Sequence, residues 1–269
     1  MFLKKGRYKI ERTLTAGNFG QTYIAIDQHS QFPSQEVVIK KLKPQQNDPY
    51  TLQNAKRLFK QEVEVLKKLG SHKQIPTYID DFLENQDFYL VQEYIKGKDL
   101  TEELKLGNKL GESEVIQLLF DILEVLDFVH INGVIHRDIK PSNLMRRTQD
   151  NQIVLIDFRA VKEVGTVLVN QQGEKTITVI IGTPGYMAGE QGQGNPECAS
   201  DVYAVGKIAI QALSGISANL IPPNSLLRNQ NNDELLWRKG VSVRHELGNI
   251  IDKMVEQNFF LRYQKTSFT

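Results

Sequence analysis

The chain has 269 residues, of which 40% are hydrophobic and 24% charged, and its formal net charge is +1. This length allows one large domain or two lobes, and the near-neutral charge gives no reason to expect binding to nucleic acid or to a membrane surface. The one cysteine, Cys198, excludes an internal disulfide and fits a reducing cytosol. The longest apolar run, residues 202–213, is too short to span a bilayer. We therefore expect a cytoplasmic protein with no membrane segment and, because its five histidines lack the spacing of zinc ligands, no structural metal.

The beginning of the chain predicts an antiparallel hairpin and a third strand. Residues 8–14 and 22–26 have strand-like patterns, Gly17 and Gly20 lie between them, and residues 37–40 follow as another apolar strand. Backbone N–H groups at a glycine-rich tip can approach phosphate oxygens, because no Cβ atoms intervene. The alternative is a simple flexible hairpin. The Walker-type phosphate-binding loop is excluded by its missing glycine-lysine motif.

Residues 51–69 predict a helix that ends at Gly70. Its apolar stripe has the helical period and consists of Ala55, Leu58, Phe59, Val63, Leu66 and Leu69. Glu62 lies within this stripe, and a carboxylate on a buried face requires a cation. Lys40, at the end of the third strand, is the natural partner. In the alternative, Glu62 lies at the edge of the stripe and stays hydrated.

The next segments predict a change from strands to helices. Residues 88–95 read as a strand and residues 96–98 as a turn, which would connect a strand-rich N-terminal lobe, residues 1–94, to a helical C-terminal lobe, residues 95–269. Residues 113–131 predict an amphipathic helix whose apolar face consists of Ile116, Leu119, Phe120, Leu123, Leu126 and Val129.

Two further helices are expected in the C-terminal part. Residues 202–213 are apolar on nearly every face, which is typical of a helix buried in the centre of a lobe. We expect Ser200 or Asp201 to cap its start and Gly215 to follow its end. Asp201 is also expected to accept hydrogen bonds from neighbouring backbone. A final surface helix is marked by Leu247, Ile250, Ile251, Met254 and Val255.

The most informative stretch is residues 136–143, followed by Asp157. Asp138, Lys140 and Asn143 lie on a loop flanked by apolar strands, where catalytic groups are usually found. Together they can hold a hydroxyl, a phosphate and a metal ion at one point. Asp157 would add a second oxygen ligand for a hard cation such as Mg²⁺. The alternative is a polar loop whose charges are solvated.

Taken together, these residues resemble the protein kinase family, and the resemblance covers nearly the whole chain. It implies an α+β, bilobal protein-kinase fold with an N-terminal antiparallel sheet plus one helix and a mainly helical C-terminal lobe. It also implies ATP and Mg²⁺ as cofactors. The loop over the ATP phosphates would consist of Thr15, Ala16, Gly17, Asn18, Phe19 and Gly20. Lys40, with Glu62 as its partner, would also contact ATP, as would Val38 and Met145. The hinge residues Glu93 and Ile95, which follow Gln92, would bind adenine, and Asp99 would reach the ribose.

The resemblance also assigns the chemistry. It makes Asp138 the catalytic base, brings Lys140 to the γ-phosphate, and makes Asn143 and Asp157 the Mg²⁺ ligands. Residues 182–190 look like the end of an activation segment, with Thr183 and Glu190 as its site residues; Arg262 falls where the family's arginine pairs with that glutamate.

Lys140 and Thr183 together resemble the serine/threonine class, which acts on hydroxyl groups of protein substrates. The motif style is similar to bacterial kinases of the eukaryotic type, such as those of cyanobacteria. An arginine at position 137 commonly meets a phosphorylated activation segment, so Thr176 and Thr178 are candidate sites of autophosphorylation. The alternative is an unmodified exposed loop.

Four departures from the family pattern favour a second hypothesis, a pseudokinase that binds nucleotide or a partner without turnover. Thr15 replaces the first glycine of the loop, and Arg159 replaces the glycine after Asp157 and Phe158, which restricts flipping of that segment. Gly189 replaces a proline. The chain stops at Thr269, so we expect the family's last helix to be cut short and the C-terminal lobe to be less stable. A small-molecule phosphotransferase is disfavoured, because Thr183 belongs to machinery that docks a protein substrate.

Overall fold

The computed structural model describes residues 1–17, 20–29, 35–42, 49–158, 162–163, 182–221, 226–227, 235–264 and 266. The chain divides into two compact units, Met1–Lys96 and Gly97–Thr269.

The first unit is built on a six-stranded antiparallel sheet. Its strands are β1 Phe2–Leu3, β2 Tyr8–Gly17, β3 Gly20–Asp27, β4 Gln35–Leu42, β5 Tyr78–Glu84 and β6 Asp87–Glu93. They lie in the order β1-β2-β3-β4-β6-β5. The predicted hairpin is confirmed: β2 and β3 pair with Gly17 opposite Gly20 at the tip.

The sheet curls around an aromatic core. The ring of Phe82 stacks on Tyr8 and on Tyr89, with centroids 5.9 and 4.9 Å apart. The turn after β1 reaches the opposite edge of the sheet, where Lys4 pairs with Asp80 and the Tyr8 hydroxyl donates to Asp80 at 2.8 Å. These contacts tie the two ends of the sheet together.

The helix α1, Pro49–Leu69, packs on β5 and β6. Phe59, Val63, Leu66 and Leu69 are buried, as the apolar stripe predicts. The side chains of Ala55 and Leu58, the other predicted members of the stripe, lie outside the described residues.

The second unit is mainly helical. Its helices are α2 Leu100–Glu103, α3 Glu112–Ile131, α4 Gly189–Gly192, α5 Cys198–Ser214 and α6 His245–Met254. Its strands are β7 Gly97–Asp99, β8 Val134–Ile135, β9 Leu144–Arg147, β10 Ile153–Leu155 and β11 Lys162–Glu163. The prediction of a turn at residues 96–98 is wrong, because Gly97–Asp99 pairs with β9. A Cβ on Gly97 would lie 2.1 Å from the carbonyl oxygen of Arg146, so the glycine permits this close approach of two strands rather than a turn.

The helix α3 is where predicted, and Leu119, Leu126 and Val129 of its predicted apolar face are buried, but the rest of that face is not. Ile116 and Phe120 are 39% and 51% exposed. The buried face consists of Val115, Leu118, Leu119, Asp121, Ile122, Val125, Leu126 and Val129. Because this helix carries apolar residues on two adjacent faces, the packing against α5 and β10 decides which face is buried, and the helical period alone does not.

The helix α5 is buried along nearly its whole length, as predicted. Its N-cap is Glu197, so the prediction of Ser200 or Asp201 as the cap is wrong. Ser200 instead lies in the first turn, where its hydroxyl oxygen accepts from the Glu197 N–H at 3.1 Å. Gly215 ends the helix in the left-handed conformation, with φ +70°. The final helix, α6, is close to its predicted position.

The predicted α+β class, with an antiparallel sheet and one helix in the first unit and a mainly helical second unit, is confirmed. Of the helices in the described parts of the chain, none has the length and apolar character needed to cross a membrane.

Candidate functional site

The loop that carries Asp138 is anchored by Asp201 from the first turn of α5. One carboxylate oxygen of Asp201 accepts from the backbone N–H of His136 and the other from that of Arg137, both at 2.8 Å. His130, near the end of α3, lies 2.9 Å from the first of these oxygens. Burial opposes ionisation of Asp201, but these hydrogen bonds hold its pKa below the usual value. The predicted role of Asp201 as a backbone acceptor is confirmed.

This anchoring fixes an unusual backbone. Arg137 has a φ of +69°, which is costly for a residue with a side chain. The carbonyl oxygen of Arg137 accepts from the amide Nε2 of Gln191 at 2.6 Å. Asp201 and Gln191 therefore bind both backbone polar groups of Arg137 and fix the backbone directly before Asp138.

Three polar side chains contact the Asp138 carboxylate. Asn143 donates from Nδ2 to Oδ2 at 3.0 Å, and the Lys140 ammonium lies 2.8 Å from the same oxygen. The Thr183 hydroxyl donates to Oδ1 at 2.7 Å and accepts from the Lys140 ammonium at 2.9 Å. The structure thus brings Asp138, Lys140, Asn143 and Thr183, all singled out in the sequence, into one cluster.

Asp157 follows β10 on a chain segment next to this cluster. The backbone N–H of Ile156 donates to the carbonyl oxygen of Asn143 at 2.9 Å. Asp157 itself has a φ of +69°, a second strained residue at this position of the fold. Phe158, which is buried, packs edge-on against the ring of His136 at 5.1 Å.

Oxygen donors for a hard cation are present at this point. Nδ2 of Asn143 makes both of its hydrogen bonds to Asp138, at the carbonyl oxygen and at Oδ2, which turns the amide oxygen away from that residue. The amide oxygen of Asn143 and the carboxylate of Asp157 are the ligand types that Mg²⁺ prefers. Within the described ranges there is no group of three or more His, Cys, Asp or Glu side chains suited to a metal.

The segment after Thr183 is held by a buried ion pair. Arg262 donates to Glu190 from Nη1 at 2.6 Å and from Nη2 at 3.2 Å, as expected for these two residues. Ser200 donates to the same carboxylate at 2.6 Å. Burial opposes ionisation of Glu190, but the hydrogen bonds from Arg262 and Ser200 hold its pKa below the usual range.

In the first unit, the predicted pair of Lys40 and Glu62 is present. The ammonium of Lys40 lies 2.5 Å from Oε1 of Glu62, which is only 2% exposed. Glu62 is therefore a buried, paired carboxylate, and the alternative of a hydrated edge position is wrong. Lys40 and Val38 lie on β4, whose neighbour β6 places Gln92 opposite Val38.

The other predicted ATP-site residues are distributed over both units. In the first, Thr15 and Gly20 flank the hairpin tip, Ala16 and Gly17 end β2, Glu93 ends β6, and Ile95 is buried. In the second, Asp99 of β7 lies directly opposite Met145 of β9 and caps α2 by accepting from Thr101 N–H at 2.8 Å. Asn18, Phe19, Arg159, Thr176 and Thr178 lie outside the described residues.

Sequence reasoning missed the tertiary contacts of three polar residues. These are His130 and Gln191, which help to hold the Asp138 loop, and Ser200, which binds Glu190. Their contacts join segments that are 10 to 71 residues apart, so no local pattern points to them. For His130 and Ser200, the one available signal is a polar residue next to or within a strongly apolar run.

Known proteins with similar sequences identify the family of this chain. Residues 8–267 match the protein kinase domain family. The chain is 40% identical over 256 residues to the serine/threonine-protein kinase PknA of Nostoc sp. strain PCC 7120, covering 94% of this chain and 44% of that protein. It is 39% identical over 263 residues to the serine/threonine-protein kinase B of Synechocystis sp. strain PCC 6803, covering 96% and 45%.

A third relative, the serine/threonine-protein kinase C of the same Synechocystis strain, is 41% identical over 256 residues, covering 94% of this chain and 46% of that protein. The chain thus spans less than half the length of each of these three curated relatives. The resemblance inferred from the sequence is confirmed, and the chain belongs to the protein kinase family.

Proposed function

We propose that this chain is the catalytic domain of a serine/threonine protein kinase, which transfers the γ-phosphate of ATP to serine and threonine hydroxyls of proteins. The observation that carries the proposal is the cluster in which Asp138 accepts a hydroxyl hydrogen bond from Thr183 while Lys140 contacts both residues. A carboxylate that accepts from a hydroxyl beside a fixed ammonium suits the transfer of a phosphoryl group to an alcohol.

In this mechanism the residues position the reactants and neutralise charge. A bond forms between the substrate hydroxyl oxygen and the γ-phosphorus, and the bond from that phosphorus to the β,γ-bridging oxygen breaks, which releases ADP. Asp138 orients the hydroxyl and takes its proton. Lys140 stabilises the negative charge on the transferred group, and its contact to Asp138 keeps both groups in one place.

Mg²⁺ would supply charge neutralisation at the phosphates. We assign Asn143 and Asp157 as its ligands, because both offer oxygen donors close to Asp138. A site with two protein oxygens is sufficient, since Mg²⁺ is commonly bound by one or two carboxylates together with substrate phosphates.

Most of the residues that we assign to the nucleotide lie in the first unit. We assign Lys40 to the α- and β-phosphates, with Glu62 keeping its ammonium in place, and the glycine-rich hairpin, residues 15–20, to the phosphate cover. The adenine and ribose would be bound by Val38, Glu93, Ile95, Asp99 and Met145. Residues 1–94 thus form the ATP-binding lobe and residues 95–269 the catalytic lobe. Because the reaction consumes ATP, we place it in the cytoplasm.

The binding-only alternative has no support in the described residues. Lys40, Glu62, Asp138, Asn143 and Asp157 are all retained, and the relatives of 39–41% identity are serine/threonine kinases. Of the departures that motivated it, Gly189 begins α4, and the neighbouring Glu190 keeps its ion pair with Arg262. We propose protein substrates, and autophosphorylation at Thr176 and Thr178 in the activation segment.

The test is transfer of labelled γ-phosphate from ATP to dephosphorylated casein with Mg²⁺. We expect incorporation by the wild type and a loss of about 100-fold or more in Asp138→Asn, the range for a general base. Both proteins should unfold at similar temperatures, and ATP with Mg²⁺ should raise the melting temperature of both. Equal incorporation by the two folded proteins, or none by either, would overturn the proposal; stabilisation by ATP without transfer would identify a pseudokinase.

A further inference from the structure

The amide of Gln211 joins three segments of the second unit that are far apart in sequence. Gln211 lies near the end of α5 and is 5% exposed. Its Nε2 donates to the carbonyl oxygen of Leu104, the C-cap of α2, at 2.6 Å. Its Oε1 accepts from the hydroxyl of Tyr186 at 2.6 Å and from the N–H of Ala218 at 3.4 Å.

Tyr186 connects this amide to the Asp138 cluster. The backbone N–H groups of Tyr186 and Met187 both donate to the carbonyl oxygen of Thr183 at 3.2 Å, which closes a tight turn. The Thr183 hydroxyl in turn donates to Asp138. Burial raises the pKa of Tyr186 to about 12, so its hydroxyl keeps its proton and acts as the donor to Gln211.

The turn between Thr183 and Tyr186 also packs closely against the segment Ala218–Leu220, whose first residue binds Gln211. Gly185 has a φ of +91°, and a Cβ at this position would lie 2.1 Å from Oδ1 and 2.8 Å from the backbone nitrogen of Asn219. The segment Ala218–Leu220 therefore packs directly against the backbone between Thr183 and Tyr186. Gln211 contacts both sides of this arrangement, at Tyr186 and at Ala218.

We propose that Gln211 is a positioning residue for phosphoryl transfer to proteins: its amide fixes Tyr186 and, through the Thr183 turn, the surface beside Asp138 that receives the acceptor hydroxyl. The inference rests on the proposed function. Gln211 touches none of the reacting groups, so its effect travels through Tyr186 and Thr183. A side chain with both a donor and an acceptor is needed, because one face of the amide meets a carbonyl oxygen and the other a hydroxyl.

Three variants separate the hydrogen bond between Tyr186 and Gln211 from the one between Gln211 and Leu104. Tyr186→Phe removes only the hydrogen bond from the tyrosine hydroxyl to Gln211. Gln211→Met removes this bond and the one to Leu104, at nearly constant side-chain volume. Gln211→Glu, when ionised, still accepts from Tyr186 but cannot donate to Leu104. Its protonated form restores both hydrogen bonds, so the activity of this variant relative to wild type should rise as the pH is lowered from 8 to 6, since burial raises the pKa of the new carboxyl.

The kinetic experiment uses ATP, Mg²⁺ and dephosphorylated casein. We expect Tyr186→Phe and Gln211→Met to lower kcat/KM for casein by about five- to tenfold each, the effect of one buried hydrogen bond. KM for ATP should stay within about twofold of wild type. The control is Trp237→Phe, which removes a buried 2.7 Å hydrogen bond to Asp252 far along the chain and should lower the melting temperature without this kinetic change. The proposal would be overturned if kcat/KM for casein were the same in wild type and both variants. It would also be overturned if KM for ATP rose by the same factor as kcat/KM for casein fell.

A second measurement does not depend on activity. In hydrogen–deuterium exchange, the amides of residues 182–191 should exchange faster in Gln211→Met than in wild type and remain at the wild-type rate in Trp237→Phe. If the wild type transfers no phosphate, the proposed function fails and this measurement alone decides the positioning role. Unchanged exchange in Gln211→Met would overturn it.

Discussion

The ion pair of Arg262 and Glu190 allows a quantitative prediction, because both partners are buried. Arg262 is 3% and Glu190 8% exposed. Replacing Arg262 by methionine would leave the Glu190 carboxylate with the Ser200 hydroxyl as its remaining donor among the contacts described above. Removing one partner of a buried pair costs about 3–5 kcal/mol, since the remaining charge is uncompensated.

The loss of stability in Arg262→Met should lie at the upper end of this range. The guanidinium also donates to the carbonyl oxygens of Ala199 and Gln257 at 3.3 and 3.1 Å and stacks on the ring of Tyr203, 4.8 Å away. For a unit of this size, each kcal/mol lowers the melting temperature by about 2–4 °C. A loss of about 5 kcal/mol therefore predicts a decrease of about 10–20 °C.

The pH dependence has a definite sign. In the wild type, the pKa of Glu190 is depressed by folding, so this group contributes stability at pH values above its unfolded pKa and loses it as the pH falls through the folded pKa. In Arg262→Met, burial without the arginine raises the pKa of the same carboxyl above its unfolded value. The destabilisation should therefore be largest at pH 7 and smaller at pH 5.

The assay is thermal unfolding followed by circular dichroism at both pH values. The double variant Arg262→Met with Glu190→Gln serves as the control, because it removes the charge together with its partner. It should be more stable at pH 7 than Arg262→Met alone. If the single variant is no less stable than the double variant at pH 7, the reasoning about an uncompensated buried charge is wrong.

Three further changes test other parts of the account. Glu62→Gln removes the counter-charge that holds the Lys40 ammonium, so we expect a rise in KM for ATP, measured by steady-state kinetics; an unchanged value would exclude this positioning role. Asp201→Asn replaces an acceptor that binds two backbone N–H groups, and we expect a loss of about 2–3 kcal/mol, measured by urea denaturation; a stability equal to wild type would show that Asp201 does not anchor the loop. Gly185→Ala places a Cβ against Asn219 at positive φ, and we expect about 1–3 kcal/mol of destabilisation with reduced phosphate transfer; wild-type values in both assays would contradict the described close contact.

Some contacts in this fold are predictable from the sequence because a polar residue interrupts an apolar pattern. Glu62 within the stripe of α1 and Lys40 at the end of an apolar strand each require a partner, and the structure pairs them. Asp201 at the start of the buried helix α5 follows the same reasoning. In each case burial makes an unpaired charge so costly that the sequence pattern implies the contact.

Other features depend on tertiary packing that no local pattern contains. The buried face of α3 only partly matches the predicted one, because two adjacent faces of the helix are apolar and its neighbours decide which residues are buried. The N-cap of α5 is Glu197, and the chain at residues 97–99 forms a strand because β9 lies beside it. Gln211 interrupts the apolar run 202–213, but that pattern does not identify its partners, because Leu104 and Tyr186 lie 107 and 25 residues away.

The central claim, that Asp138 is the base of a serine/threonine kinase, is tested most directly by autophosphorylation with site mapping. Wild type and Asp138→Asn would be incubated with ATP and Mg²⁺ and their modified residues located by mass spectrometry. We predict phosphate on serine or threonine, Thr176 and Thr178 first, in the wild type and none in the variant. Modification of both proteins to the same extent, or of neither while both remain folded, would contradict the claim.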